Sequence, residues 1–391
     1  MFLFSNIIPG EAGMSPCGGA QVTSLSVDTA SLAGYKLDLQ DLRSGFSSNS
    51  TRLLTVVSLP AGSAGLIAAL TPSLGKLNSA LTTAQLTCST KLDDLGDTCS
   101  TAASQYLSTD STTAAALVAA SDGAGGDGGT DQAIRRFSGL QQANLPDVPE
   151  NQYTLRQAVT SAIDLISIYD DRMNEAVGIK PAADFLTPLI ADWEALQAIG
   201  RRIGLLGIND FVASQNLAGG TSWLQSSWSG DASHAFGVSS GELGDTLNGR
   251  SLDLEAVSKI VENGGMYLER LVYNQAAELC SGILRPMTYL GATFPLGGWA
   301  PYVNQQIRES IKTEISAALD GVKTSALSRQ ESIQTMIDRL SQSLDYSPER
   351  PIPAFNAQDF DLPEKIIVDL GVRKYGYGDN LWWEDRVDSV V

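Results

Sequence analysis

The sequence predicts an all-α protein in which antiparallel helical hairpins pack as an elongated four-helix-type bundle, followed by an irregular C-terminal tail. The first observation is that apolar residues recur at steps of three and four over long stretches, as on one face of an α-helix. The second is that segments rich in glycine and proline separate these stretches. The third is composition: the 391 residues are 43% apolar but only 7% aromatic, which suits long helices better than β-sandwiches.

The first helix is predicted from Leu32 onward, with Asp28 as its N-cap. Its apolar positions alternate between steps of three and four, and Asn49 fills one of these steps. We expect the helix to stop near Ser58, because Pro60 and two glycines follow. The apolar positions are Leu32, Tyr35, Leu39, Leu42, Phe46, Leu53 and Val56.

A second helix with the same stepping follows this break. Two such helices joined by a short breaker predict an antiparallel hairpin over residues 21–119. A single hairpin buries only one stripe of each helix, so we expect it to need a partner surface. The apolar positions of the second helix are Leu70, Leu74, Leu77, Leu81, Ala84, Cys88, Leu92, Leu95, Cys99, Ala102 and Tyr106.

Composition divides the chain into five segments. An N-terminal arm covers residues 1–20 and precedes the hairpin at 21–119. A linker rich in glycine, aspartate and proline covers residues 120–153. A second helical domain, ending in a long helix, covers residues 154–345. The tail at 346–391 is rich in proline, tryptophan and acidic residues, and we expect it to be irregular.

Local signals within the second domain predict its internal breaks. The stretch NLAGGTS, Asn216–Ser222, is expected to interrupt the helical pattern, and so is Ala292–Pro301. The last long helix is expected over Tyr302–Leu344. In the tail, Lys365–Leu370 has the composition of a short strand.

The charge of the chain excludes several classes of partner. A formal net charge of −18 opposes binding to nucleic acid and to anionic membrane surfaces. No stretch approaches the roughly 20 apolar residues that a membrane-spanning helix needs, so we expect no membrane span. The apolar N-terminal stretch has no Lys or Arg before Lys36 and does not match a Sec signal peptide. If the chain is exported, we expect another route.

The four cysteines do not form a metal-binding pattern, and we expect neither a metal nor a cofactor. None of them belongs to a CxxC pair, and no histidine lies at the spacing of a zinc site. Cys88 and Cys99 would lie on one helical face about 16 Å apart, too far to bridge each other. We expect buried thiols, while a bridge from one of them to Cys17 stays open.

Two short motifs are placed where helices meet or end. Trp228–Gly230, read as Trp-Ser-Gly, falls between two predicted long helices. Tyr106 and Asp110 are four residues apart near the end of the second helix, so they share a face. Each pattern alone is weak, and Tyr375–Asp379 is a second match to Tyr-x-x-x-Asp in the tail. We treat them as candidate sites because of where they lie, between two predicted helices and near the end of another, and not because of the residue types alone.

This arrangement resembles substrates of type VII (ESX) secretion. Residues 21–119 look like the Esp and PE-type hairpins, which carry YxxxD/E after the second helix. Trp228–Gly230 resembles the interhelical turn of the WXG and PPE families, and a chain holding both in this order is EspB-like. The resemblance covers roughly residues 20–290. The chain departs from it in lacking a PE dipeptide at its start and a PPE motif before Thr154.

The resemblance implies a function in export. Trp228, Gly230, Tyr106 and Asp110 would form one composite secretion signal, recognised by a type VII secretion ATPase or chaperone. The protein would be secreted or associated with the cell envelope of an actinobacterium, without a Sec signal peptide. Family analogy also allows a homo-oligomer.

The residues predict no catalytic site, and we expect a non-enzymatic protein. His234 is the only histidine, and no serine lies in a GxSxG context. Two other functions stay open. The motifs could form an export module for a C-terminal toxin or effector at Ala292–Val391. Alternatively, the chain could be a cytosolic helical adaptor, with the tail around Trp382–Trp383 binding a protein partner.

Overall fold

The computed structural model describes residues 27–120, 134–149 and 154–346. Several predictions lie outside these residues: those for the arm at 1–20, Cys17, the glycine-rich stretch 121–133, the strand at Lys365–Leu370 and the tail around Trp382–Trp383. The all-α prediction is confirmed, because the described part contains long packed helices and one small β-hairpin. The helices are α1 (Thr29–Leu54), α2 (Thr71–Ala120), α3 (Thr154–Ile166), α4 (Asp170–Val177), α5 (Ala195–Gln225), α6 (Asp231–Leu284), α7 (Leu296–Trp299) and α8 (Glu309–Leu344).

Four of these helices form the bundle. Helices α1 and α2 make one antiparallel hairpin, α5 and α6 make another, and the two hairpins pack together through α1 with α5 and α2 with α6. One apolar core takes buried side chains from all four, among them Tyr35, Cys99, Leu217 and Phe236. Each hairpin therefore supplies the partner surface that the other needs.

The shorter helices and α8 surround the other half of the bundle. There α3 and α8 pack against α6, and Trp193 and Trp299 are buried in a second, larger core. Between α6 and α7, strands β1 (Pro286–Tyr289) and β2 (Ala292–Pro295) pair antiparallel, with Pro286 opposite Pro295. Short 3-10 or π turns complete this half at Gly65–Leu70, Ser167–Tyr169, Pro181–Leu186, Thr187–Leu189 and Ala300–Asn304.

The observed ends of α1 and α8 can be compared with the boundaries predicted from local sequence signals. Asp28 is the N-cap of α1, as predicted, and its carboxylate accepts the amide of Ala30 at 3.0 Å. The helix ends at Leu54, a few residues before the predicted stop. Helix α8 begins at Glu309, because Ala300–Asn304 forms a separate 3-10 turn. The predicted start at Tyr302 is therefore seven residues early.

The predicted break at Asn216–Ser222 is wrong, because α5 runs through it without interruption. The glycines serve close packing instead. A Cβ on Gly220 would lie 2.3 Å from the ring of Tyr35, and one on Gly219 would lie 3.2 Å from the ring of Phe137. Glycine weakens a helix by about 1 kcal/mol relative to alanine, and here that cost admits two aromatic rings to the helix surface.

Residues 134–149 form an ordered segment, which we call the strap, along the groove between α1 and α5. Arg136 and the amide of Phe137 both bind the buried carboxylate of Asp38, at 2.7 and 2.8 Å. Further on, Gln141 and Asn216 exchange two hydrogen bonds, of 2.8 and 2.7 Å. The linker prediction did not anticipate this packing, because the strap has no regular secondary structure and no periodic apolar pattern.

Buried polar groups also join the helices. The carboxylate of Asp210 on α5 accepts two hydrogen bonds from Arg250 on α6, at 2.6 and 2.8 Å, and both side chains are almost fully buried. Arg250 also lies 3.5 Å from the sulfur of Cys88 on α2. This bidentate pair therefore connects three helices, and removing either partner would leave a buried charge.

Cys88, Cys99 and Cys280 are buried free thiols, as predicted, and burial raises the pKa of Cys99 and Cys280 to about 12. Across the described residues, no helix has the length and apolarity to cross a membrane.

Candidate functional site where the two hairpins meet

The turn between α5 and α6 lies at Trp228–Gly230, where the sequence predicts one helix to give way to the next. Gly230 has φ 99° and ψ −176°, a backbone conformation that is essentially restricted to glycine. Its carbonyl accepts the amide of His234 at 3.0 Å, which begins α6. Asp231 follows in the first turn, where a carboxylate interacts favourably with the helix dipole. The glycine of the motif is therefore required by the backbone.

The start of α1 is bound to this turn through the backbone. The amide of Asp28 donates to the carbonyl of Ser227 at 3.0 Å, and Val27 forms an antiparallel bridge with Trp228. The carboxylate of Asp28, besides capping α1, accepts a hydrogen bond from Arg135 of the strap at 3.0 Å. The start of α1 thus binds the Trp-Ser-Gly turn directly, and the strap binds the start of α1.

Trp228 joins the two predicted motifs directly. Its side chain is 1% exposed, and its indole N–H donates to the hydroxyl of Tyr106 on α2 across 3.4 Å. Tyr106 itself is half-buried. Asp110 lies one helical turn further along α2, and its side chain is outside the described residues. Three of the four candidate residues, Trp228, Gly230 and Tyr106, are therefore gathered at one end of the bundle.

A chain of aromatic rings runs from Trp228 across both hairpins. Trp228 packs on Phe236 with centroids 5.6 Å apart, and Phe236 contacts Tyr35 at 6.1 Å. Tyr35 then contacts Trp223 at 6.2 Å, and Trp223 contacts Phe137 of the strap at 6.0 Å. These tilted or edge-to-face pairs each add about 0.5–1.5 kcal/mol beyond burial. Local sequence patterns do not assign these rings to the site. The periodicity around Tyr35 and Phe236 identifies only a core face, and Phe137 lies in the strap, which has no periodic apolar pattern.

The exposed part of the site is small and combines polar groups with one apolar side chain. Gly230, Asp231 and His234 are exposed above the buried indole, and Leu107 on α2 is 57% exposed beside Tyr106. Because Trp228 is covered, a receptor would touch the surface that Trp228 holds in place and not the indole itself. The arrangement thus suits recognition by shape and by a few polar contacts.

The described part of the chain offers no arrangement for metal binding. It holds no group of three or more His, Cys, Asp and Glu residues that could bind an ion. His234 lies at the surface in the first turns of α6.

Comparisons of the chain with protein-family models, curated proteins and solved structures return no match.

Proposed function

We propose that this chain is a non-enzymatic substrate or structural component of a type VII secretion system, exported by means of a composite signal. The signal consists of the Trp228–Gly230 turn together with Tyr106 and Asp110. The proposal rests on one observation above all: the Trp228 indole hydrogen-bonds the Tyr106 hydroxyl between two hairpins. Two weak motifs that meet at one point are far less easily attributed to chance than either motif alone.

The site supports a signal that depends on folding. Trp228 is buried at the contact between α2, α6 and the start of α1, so the surface around it forms only when both hairpins are packed. A secretion ATPase or chaperone that reads this surface would thereby select folded chains. Tyr106, half-buried, and Asp110, one turn away, would supply the contacts that the receptor touches.

The toxin alternative is less well supported by the packing of residues 292–346. Trp299 and the apolar face of α8 are buried in the same core as α3 and α6, so these residues are part of the helical body. Residues 292–346 are therefore an unsuitable place for a separately folded effector domain. No observation specifically favours the adaptor alternative.

Export by an actinobacterial host tests the proposal. A tagged chain should appear in the culture filtrate of a strain with a type VII system and stay in the cells of a strain lacking its secretion ATPase. Trp228→Phe, Tyr106→Phe and Asp110→Asn should each reduce export while the intracellular amount of protein is unchanged. Circular dichroism of the purified variants should match that of the parent chain, so that reduced export reports recognition and not unfolding.

A matched control comes from the second copy of the pattern. Tyr375→Phe combined with Asp379→Asn alters the same residue types in the tail and should leave export unchanged. Export that does not require the ATPase would contradict the proposal, and so would export that is equally sensitive to both pairs of substitutions.

A further inference from the structure

The C-terminal helix α8 points into a groove between α2 and α6. Ser341 on α8 and Ser73 on α2 have hydroxyls 2.5 Å apart. Five residues later Tyr346 is 7% exposed, and its hydroxyl donates to a carboxylate oxygen of Asp253 on α6 at 3.0 Å. The stretch from Ser341 to Tyr346 therefore runs from a contact with α2 to a contact with α6, and Tyr346 lies in the groove.

Beyond Tyr346 the groove continues as a cavity of about 780 Å³. Most of the side chains that line it on α2 are small, which leaves room for an extended chain. Its base includes the buried Cys88 and Arg250, which contact each other. The lining on α2 and α6 includes Ala80, Thr83, Ala84, Thr87, Thr246 and Gly249.

The segment that directly follows Tyr346 matches this groove in length and composition. The α2 wall from Ser79 to Lys91 spans roughly 18 Å, at about 1.5 Å per helical residue. An extended polyproline-type chain covers that distance with about six residues, at about 3.1 Å each. The six residues Ser347–Ile352 read SPERPI: their prolines favour this conformation, and Ile352 supplies an apolar side chain.

The groove lining, which also includes Lys91 on α2, carries one exposed carboxylate that can pair with Arg350. Asp245, an exposed carboxylate, lies on the α6 wall eight residues from Asp253, or about 12 Å along the helix. Four extended residues separate Tyr346 from Arg350, which is again about 12 Å. Arg350 would therefore reach the level of Asp245.

We propose that Ser347–Ile352 of the same chain binds in the groove between α2 and α6, with Arg350 beside Asp245. The segment continues the path of α8 and fastens the C-terminal region to both helical hairpins. This inference does not depend on the proposed function, because the groove includes none of Trp228, Gly230, Tyr106 and Asp110.

Photo-crosslinking in the full-length chain tests the proposal. A benzophenone amino acid in place of Ile352 should crosslink within the same chain, to peptides covering residues 79–91 or 245–253. The same probe in place of Val390 is the control for unspecific capture. Crosslinks from position 352 to other regions or to a second chain would overturn the proposal, and so would a yield no higher than that from position 390.

Filling the groove provides a second readout. A Cβ on Gly249 would meet no atom within 4 Å, so Gly249→Leu fits the folded helix and occupies the groove. We expect it to lower the crosslink yield from position 352 by about tenfold, the effect of weakening binding by about 1.4 kcal/mol. Gly321→Leu, equally unobstructed but on α8 and outside the groove, should leave the yield unchanged. Equal yields in the two variants would refute the proposed site.

Charge reversal tests the orientation. Asp245→Arg should lower the yield, and Arg350→Asp in the same chain should restore it. Both variants keep melting temperatures near that of the parent chain, since Asp245 is exposed. Failure of the second change to restore the yield would rule out the Arg350–Asp245 pairing and with it the proposed placement.

Discussion

The indole N–H of Trp228 lies 3.4 Å from the hydroxyl of Tyr106, although the two residues are 122 positions apart in the chain. Trp228 belongs to the turn between α5 and α6, and Tyr106 belongs to α2. The contact therefore connects the two hairpins at one end of the bundle. We therefore expect the contributions of the two motifs to stability to depend on each other.

A double-mutant cycle should reveal this dependence. Trp228→Phe and Tyr106→Phe each remove the hydrogen bond, which is worth about 0.5–1.5 kcal/mol, so the coupling energy between them should fall in that range. Trp228→Ala should cost more, about 3–5 kcal/mol, because it empties a buried site. Urea unfolding followed by circular dichroism measures the free energies of the parent chain, the two Phe variants, their double variant and Trp228→Ala. Strictly additive effects would show that the hydrogen bond contributes nothing.

Gly230 should tolerate no side chain without cost. Its φ of 99° places the backbone where only glycine is unstrained, so Gly230→Ala should lower the free energy of unfolding by about 1–3 kcal/mol. Gly241→Ala on the same helix is the control: its Cβ meets open space, and the change should stabilise the protein by up to about 1 kcal/mol. Thermal unfolding distinguishes the two, and a stabilising Gly230→Ala would contradict the assigned role.

The strap should be held mainly through Asp38. This carboxylate is 2% exposed and binds Arg136, so Arg136→Ala would leave a buried charge with fewer partners, at a cost of about 1–3 kcal/mol. We expect faster amide hydrogen exchange across residues 134–149 in this variant. Arg135→Ala removes a side chain that is 70% exposed and should change stability by less than about 1 kcal/mol. Unchanged exchange in the Arg136 variant would show that the strap is held by other contacts.

Two buried glutamates should make the protein less stable as pH rises. Burial raises the pKa of Glu194 to about 7 and that of Glu269 well above its ordinary value of 4.5. The carboxylate of Glu194 accepts the amide of Leu155 at 2.9 Å, and that of Glu269 accepts the side-chain amide of Gln197 at 2.5 Å. In the unfolded chain both would ionise near pH 4.5, so between that pH and 7 the folded state holds more protons.

Stability should therefore be highest at and below about pH 4.5 as far as these two groups are concerned, and it should decline as pH rises through 7. The contribution of Glu194 is on the order of 3 kcal/mol. Glu269→Gln should raise stability at pH 8 and flatten the profile, whereas Glu255→Gln, at an exposed position on the same helix, should not. Urea unfolding at several pH values measures this, and parallel profiles for the parent chain and Glu269→Gln would contradict the prediction.

Some features of this fold were readable from single stretches of sequence. The steps of three and four in α1 predict its buried face, and Leu32, Tyr35, Leu39, Leu42, Phe46 and Leu53 are buried. The small β-hairpin is not predicted from the sequence. Leu290 and Gly291 form its two-residue turn, and both have positive φ. Gly291 alone is a weak turn signal in a chain dominated by helical patterns.

The sequence by itself determined the helical class, the cap at Asp28 and the position of the turn at Trp228–Gly230, because periodicity, capping and backbone freedom are local properties. Only the tertiary structure decided which glycines lie within helices and which interrupt them. Gly220 lies within α5, where the ring of Tyr35 packs directly on it. The tertiary structure also decided that Trp228 meets Tyr106. The register between two helical hairpins depends on how many side chains from distant stretches fit together at once, and no single stretch of sequence contains that information.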